Sequence, residues 1–331
     1  MKLDERKAAI LRAVIEEYTE TAQPVGSSAV ASAADVKVSA ATVRNDMVAL
    51  ENAGFLRQPH TSAGRVPTQK GYRHFVDSLD AANLPMAERR TVATFFGQMR
   101  GEIEEVLRET AALLANLTDY AAVVVDESDE AATVRSVQLV SLADRTVMLV
   151  LVLSNGQIIK NSFDFDTDLD EDILAAATVQ LRATLEGHSL STPGALEPSS
   201  DPAADALAAQ FFRELIETGD AERVYVDGAS KVAGAFEAVD SVGQVLTILE
   251  QQLVVVSLLA DVVERGLSVA IGTETGVEPL SECSLVVSPY EIDGEHAGAI
   301  AVLGPTRMKY PQAMSAVAAV SNQLGNRLSE G

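Results

Sequence analysis

Apolar positions in the first fifty residues recur at helical spacing. Leu3, Ile10, Leu11, Val14 and Ile15 fall on one side of a helix, Asp4 and Glu5 suit the positive end of its dipole, and the helix ends before Pro24. The turn Pro24-Val25-Gly26-Ser27-Ser28 offers the Ser28 hydroxyl to cap a short second helix over about 28–34. After Asp35-Val36-Lys37, Ser39 again stands at an N-cap position. The third helix, about 40–52, then places Val43, Met47 and Leu50 at i, i+4 and i+7, and Gly54 marks its end. There the period breaks. Residues 55–58 read as a strand, Pro59-His60-Thr61-Ser62-Ala63-Gly64 as an exposed turn, Arg65-Val66 as a short return strand before Pro67, and Thr68 as the cap of a fourth helix through Asp77. Three helices followed by a β-hairpin is the order of a winged helix-turn-helix, because a plain three-helix bundle has no need of a basic hairpin bounded by proline and glycine.

From about 87 to 117 the pattern stays helical, with Val106, Leu107, Leu113, Leu114 and Leu117 supplying the apolar side. This predicts one long linking helix, suited to a lever or a dimer seam. Strands follow at 122–125, 134–142 and 147–153, and Asn155-Gly156 turns the chain into 157–163. Helices return at 170–185 and 203–218, separated by a Ser/Pro-rich stretch over 189–202, and a third helical region covers 242–264. Strands near 267–271, 284–288 and 298–303 precede a final helix at 311–328. That later block is too small to stand as a sheet of its own, so it is expected to pair with the strands of 120–165 and leave the helical middle as an insertion. The expected fold class is therefore α+β and multidomain. A winged helix-turn-helix fills 1–80, a linking helix 81–118, an α/β domain 119–188 with 265–331, and an inserted segment 189–264.

At 331 residues and 35.0 kDa the chain can bury several cores without metal or disulfide staples. Its single cysteine, Cys283, has no internal partner, and the charged N-terminus lacks the apolar run of a secretory signal, so a cytoplasmic protein is expected. The longest strongly apolar run, 253–260, is too short to span a bilayer. A net charge of −23 argues, over the whole chain, against a nucleic-acid partner. The average hides a split. Residues 1–75 hold ten Lys/Arg against eight Asp/Glu, a net of +2 that leaves −25 for the remainder, and 36–75 alone hold six basic and two acidic residues beside His60 and His74.

That polarity turns attention to the third helix. With Val43, Met47 and Leu50 inward, its other side presents Ala41, Thr42, Arg44, Asn45 and Val48. Arg44 can donate a bidentate pair to guanine, Asn45 can make the matching pair with adenine, and Thr42 or Ala41 can touch a thymine methyl. Ser39 is placed for a phosphate as well as for capping. His60, Ser62 and Arg65 surround the hairpin tip, where they can follow a backbone or enter a minor groove, and Lys37 and Lys70 are further phosphate candidates. Other chemistry fails on spacing. The acidic run 164–170 imitates a calcium loop, but Leu169 takes the glycine position and Ala175 the place of the bidentate glutamate. The four histidines and one cysteine lack zinc spacing, no phosphate loop or nucleophile elbow is present, and Cys283 has no cationic neighbour to activate it. No catalytic residue, cofactor or metal is therefore expected. The weak motif Gly272-Thr273-Glu274-Thr275-Gly276 is a candidate lining for a small-molecule pocket.

Three stretches carry a resemblance: Pro24-Val25-Gly26-Ser27; Ser39 through Met47 with Leu50-Glu51; and above all Pro59-His60-Thr61-Ser62-Ala63-Gly64-Arg65-Val66-Pro67-Thr68 with Gly71-Tyr72-Arg73. Together with Ala299 through Tyr310 near the C-terminus, they closely resemble the bacterial heat-inducible transcription repressor family HrcA. The resemblance implies a homodimer on an inverted-repeat operator ahead of chaperone operons. It also implies a GAF-like domain after the winged head, a dimerising segment inserted into it, and a chaperonin partner whose titration by heat-damaged clients releases repression. A 47% hydrophobic composition and mean hydropathy of +0.12 fit a regulator with exposed apolar patches that recruit chaperones. Two alternatives remain at this level. A metabolite-gated regulator of the sugar-phosphate type shares the Thr-Val-Arg-Asn-Asp spacing but needs a phosphate cradle not found in the body, and an enzyme with an accessory head lacks any acid/base pair or nucleophile.

Overall fold

The computed structural model describes every residue except 1–2, 34, 61–62, 80–83, 101, 127–132, 155–157, 166–168, 191, 200, 220–223, 232–238, 267 and 330–331. The head consists of α1 (Glu5–Thr21), α2 (Ser27–Ala31), α3 (Ala40–Asn52), a two-stranded wing of β1 (Leu56–Arg57) and β2 (Val66–Pro67), and α4 (Gln69–Asp77). Asp4 caps α1 by accepting from the Lys7 amide, and Ile10, Leu11, Val14 and Ile15 are its buried face. The second helix starts one residue earlier than expected. Gly26, not a serine, holds the extended N-cap conformation, no side chain caps the helix, and Ser28 lies inside it with its carbonyl accepting from Ser32 Oγ at 3.1 Å. The cause is long-range: Val25 is bridged to Arg65, which fixes where the chain enters α2.

The expected single linking helix is two helices, α5 (Met86–Gln98) and α6 (Ile103–Thr118). Met99 turns extended at φ −65 and ψ 127 and Glu102 restarts as an extended N-cap, so no continuous lever forms. Met99 is itself buried, and its carbonyl accepts from Arg327 at 3.2 Å, so the break is fastened to the body.

Beyond α6 run β3 (Ala121–Asp126), β4 (Val134–Ala143), β5 (Thr146–Leu153), β6 (Ile158–Asp164), α7 (Glu171–Leu185), α8 (Pro202–Gly219) and β7 (Val224–Asp227). They are followed by α9 (Val239–Glu250), α10 (Gln252–Glu264), β8 (Val269–Ile271), β9 (Cys283–Ile292), β10 (Glu295–Pro305) and α11 (Tyr310–Ser329). The main sheet has the order β7-β3-β10-β9-β8, antiparallel throughout. Side chains alternate across it. Val124, Ile271, Val286, Ile300 and Val302 face the core shared with the head and α11, whereas Val123, Val125, Leu285, Ala301 and Leu303 face Val245, Leu249, Val255, Leu259 and Val262 of α9 and α10.

The expected pairing of the two strand blocks holds only for β3. Strands β4, β5 and β6 form a separate meander, backed by α7 and α8 through Leu149, Leu151, Phe163, Leu181 and Phe211. The reason lies in burial pattern. All six residues of β3 are buried, as a strand covered on both faces requires, whereas β5 alternates buried and half-buried positions along its length and needs cover on one face only. The sheets thus divide elsewhere than at 188 and 264: the unit interposed between β3 and β7 runs from β4 to α8, while α9 and α10 belong to the main sheet.

Candidate nucleic-acid interface

The third helix begins and ends where its sequence signals place it. Ser39 Oγ accepts from the Thr42 amide at 3.3 Å and shares a hydrogen bond with Thr42 Oγ1 at 3.0 Å, so both hydroxyls help start the helix. Val43, Met47 and Leu50 are buried together with Asp46. The Asp46 carboxylate receives the Arg6 fork, Nε to Oδ2 at 2.8 Å and Nη2 to Oδ1 at 3.2 Å, which pins α1 to α3. Ala41, Arg44 and Asn45 are exposed on the opposite side, and Val48 is 40% exposed beside them. Among the described residues neither Arg44 nor Asn45 makes a side-chain hydrogen bond or ion pair. A bidentate donor and a carboxamide are thus held on a rigid helix with their polar ends free.

The wing is locked to the turn before α2. Val25 and Arg65 exchange two backbone hydrogen bonds of 2.9 Å each. Gly64 is needed there, because a Cβ would lie 2.4 Å from the Val25 carbonyl oxygen. This contact joins the Pro-Val-Gly-Ser stretch to the Ala-Gly-Arg-Val-Pro stretch. At the wing turn, the Ala63 amide donates to the His60 carbonyl and Gln58 Nε2 to the Ala63 carbonyl, each at 2.9 Å. His60 is exposed. Ser62, the other candidate at the tip, lies outside the described residues.

Two of the basic candidates are committed to protein. Arg65 pairs with Glu51 of α3 at 2.9 Å with its side chain 17% exposed, and so ties the wing to α3. Lys70 donates to the Ala53 carbonyl at 2.8 Å and covers the Phe55 ring at 4.6 Å, closing the negative end of α3. Lys37 is exposed in the turn before α3.

A groove runs between the start of α2, α3 and the wing, lined by Ser27 and Ser28, Arg44 and Val48, and Gln58, Ala63 and Gly64. It brings Arg44 to the wing but leaves Ser39 and Ala41 at the open end of α3. In the sequence Ser28 reads only as a capping candidate and Ser27 as a residue of the turn before it. That their hydroxyls line one groove with α3 follows from the Val25–Arg65 bridge, which brings the start of α2 to the wing.

The other motifs serve structure. Asp164 accepts from Thr146 Oγ1 at 2.8 Å and Asp170 caps α7, while 166–168 lie outside the described residues. Among the described residues no group of three or more His, Cys, Asp or Glu side chains could hold a metal, and no helix is long and apolar enough to cross a membrane. Gly272–Thr275 forms a 3-10 turn against α4, and Thr275 and Gly276 also edge an open depression beside α10. Cys283 is buried, and that burial pushes its thiol up to about 12.

Residues 2–79 match the family model described as winged helix-turn-helix transcription repressor, HrcA DNA-binding, and residues 104–314 match the model described as HrcA protein C terminal domain. A heat-inducible transcription repressor HrcA from Arthrobacter sp. is 40% identical, with 98% of each chain covered. One from Acidothermus cellulolyticus is 38% identical, with 99% of each covered. A crystal structure described as that of a hypothetical protein at 2.2 Å resolution is similar with a TM-score of 0.66 and 22% identity over 99% of both chains, a likeness that shows the fold.

Proposed function

The chain belongs to the HrcA family of heat-inducible transcription repressors, and from that premise we propose how it reads its operator. As a DNA-binding repressor of heat-shock genes, it sets α3 in a major groove with Arg44 and Asn45 on base edges and Ala41 and Thr42 toward thymine methyls. Ser39 combines capping with a phosphate contact. His60, Ser62 and the wing follow the adjacent backbone or minor groove, and Arg65 acts by holding the wing to α3. The observation that carries this reading is the pair Arg44 and Asn45, exposed and unengaged among the described residues on a helix whose other face is fully anchored.

The partner is an inverted-repeat duplex bound by a homodimer. Support for a second copy comes from the outer face of the β4-β5-β6 meander, where Val140, Leu142 and Ile158 are 39%, 52% and 49% exposed beside the half-buried Met148, Val150 and Val152. The main sheet with its helices takes the place of the GAF-like domain. The protein acts in the cytoplasm without catalytic activity, and chaperonin binding maintains the active form until heat diverts it.

Fluorescence anisotropy with a promoter duplex from a chaperone operon tests the reading. Arg44→Ala and Asn45→Ala are expected to lose specific binding, and operator affinity undiminished in both variants would place the interface elsewhere. Leu142→Asp is expected to sediment as a monomer. Operator binding unchanged by added chaperonin would remove that partner from the mechanism.

A further inference from the structure

Head and body share one hydrophobic core. The cluster that starts with Ile10 and Leu11 of α1 continues through Tyr72 and Phe75 of α4 into Leu114 of α6 and Val317 of α11. Polar contacts fix the same seam at separate points. On α4, Arg73 Nε donates to Glu274 Oε1 at 3.1 Å, while Nη2 pairs with Glu274 Oε2 and donates to the Val269 carbonyl at 2.6 Å. One turn earlier, Gln69 Oε1 accepts from Thr273 Oγ1 at 3.0 Å. Near the end of α1, Glu20 pairs with Lys309 at 3.0 Å, and the Tyr72 and Tyr310 rings meet at 5.9 Å.

The turn that presents Glu274 is shaped for this approach. Gly272 has φ +57, and a Cβ there would lie 2.9 Å from the Ser281 carbonyl oxygen and 3.0 Å from Gln69 Oε1. The Ile271 amide donates to Glu274 Oε2 at 3.0 Å, holding the carboxylate toward Arg73. The shared apolar core is non-directional and holds the head on the body, whereas the polar contacts select the angle at which it sits.

We propose that Arg73 and Glu274 are positioning residues for operator reading, fixing the angle and separation at which the two reading helices of a dimer meet their half-sites. Neither residue lines the groove beside α3, so their effect on DNA passes through the orientation of the head. The inference rests on the dimeric reading of an inverted repeat proposed above. Its physical basis is that a second head adds affinity only where its half-site lies within reach, and a rigid mount narrows that reach.

The test uses the full chain and a duplex selected by the wild type from a randomised library, with its two half-sites respaced over one helical turn. Inserting a half-turn of about 5 base pairs is expected to cost the wild type about 100-fold in affinity. Arg73→Gln and Glu274→Gln are expected to reduce that penalty to less than about tenfold and to leave affinity for a single half-site unchanged. Arg73→Lys retains a charge for Glu274 and restores part of the spacing selectivity. Thr273→Val removes only the hydroxyl contact with Gln69 and supplies a milder flattening should circular dichroism show the Arg73 variants unfolded. Variants with the wild-type spacing profile overturn the proposal, as does a wild-type dimer indifferent to spacing. Sedimentation of the wild-type complex separates these results from failure of the dimeric reading, since a monomer on the duplex overturns both.

Discussion

Replacing Gly64 with alanine places a methyl group where backbone already stands. The new Cβ would lie 2.4 Å from the Val25 carbonyl oxygen, 2.5 Å from the Val25 carbonyl carbon and 2.7 Å from the Pro24 carbonyl carbon. None of these is the movable end of a side chain, so the wing must retreat or the structure must carry the overlap. Carrying it costs about 1–3 kcal/mol, the usual range for an overpacked site. Retreating breaks the two Val25–Arg65 backbone hydrogen bonds, each worth about 0.5–1.5 kcal/mol net. The two routes are alternatives, so the cheaper sets the cost, and about 1–3 kcal/mol is expected either way. Either route moves the wing from the groove it shares with Arg44, and a loss of about tenfold or more in operator affinity follows for each 1.4 kcal/mol of contact forfeited. Urea unfolding followed by circular dichroism measures the first effect, and anisotropy with the operator duplex the second. Gly26→Ala is the control in the same groove. Nothing lies within 4 Å of its added Cβ, so only the change of N-cap residue remains, less than about 1 kcal/mol. Wild-type stability and affinity in Gly64→Ala, or equal damage from Gly26→Ala, would refute the reasoning.

Arg44→Ala should cost about 1–3 kcal/mol of specific binding concentrated at one base pair, measured against a panel of single-base operator variants; a uniform loss across the panel would show a phosphate contact instead. Lys37→Ala should reduce the slope of log affinity against log salt by about 0.9, while Lys70→Ala should leave that slope unchanged and lower stability by up to about 1 kcal/mol, because Lys70 closes α3. The Cys283 thiol, raised from 9.0 to about 12 by burial, should resist alkylation at pH 8 until the protein unfolds. Since the folded state holds this proton more tightly than the unfolded state, its contribution to stability is complete below pH 9 and is lost as pH rises toward 12. Rapid labelling of the native protein would contradict the burial.

The head was legible wherever several local signals coincided. For α3 the Ser39 cap, the apolar spacing and Gly54 agree, and the observed helix matches the expected 40–52. What stayed hidden was decided across the fold. Arg65 and Arg44 look alike in sequence, yet Arg65 meets a carboxylate 14 residues away and Arg44 does not. Nothing local in the sequence announces that Asp46 is buried, because its partner Arg6 lies 40 positions earlier. In the body, apolar strands near 120–165 look equivalent by composition, and only two-sided burial distinguishes β3 from the one-sided meander. The break between α5 and α6 escaped because apolar periodicity resumes on both sides of it, whereas the Met99–Arg327 contact that fastens it is remote in sequence.

These commitments change what the charge of the head can do. Of its six basic residues over 36–75, Arg65, Lys70 and Arg73 are engaged with protein, leaving Lys37, Arg44 and Arg57 exposed and without side-chain partners among the described residues. With Arg44 on a base edge, Lys37 and Arg57 facing phosphates would give one head a salt slope of only roughly −1.8, and the strongly acidic remainder opposes even that attraction at a distance. Electrostatics alone therefore holds a single head weakly. In the proposed dimeric reading tight binding comes from base-edge contacts made by two heads together, and those would depend on geometry: α3 anchored by Asp46, the wing seated on Val25, and the head set on the body through Arg73 and Glu274. A repressor built this way loses its operator when that geometry loosens, without any change in its charge. This is the physical property that release by heat requires.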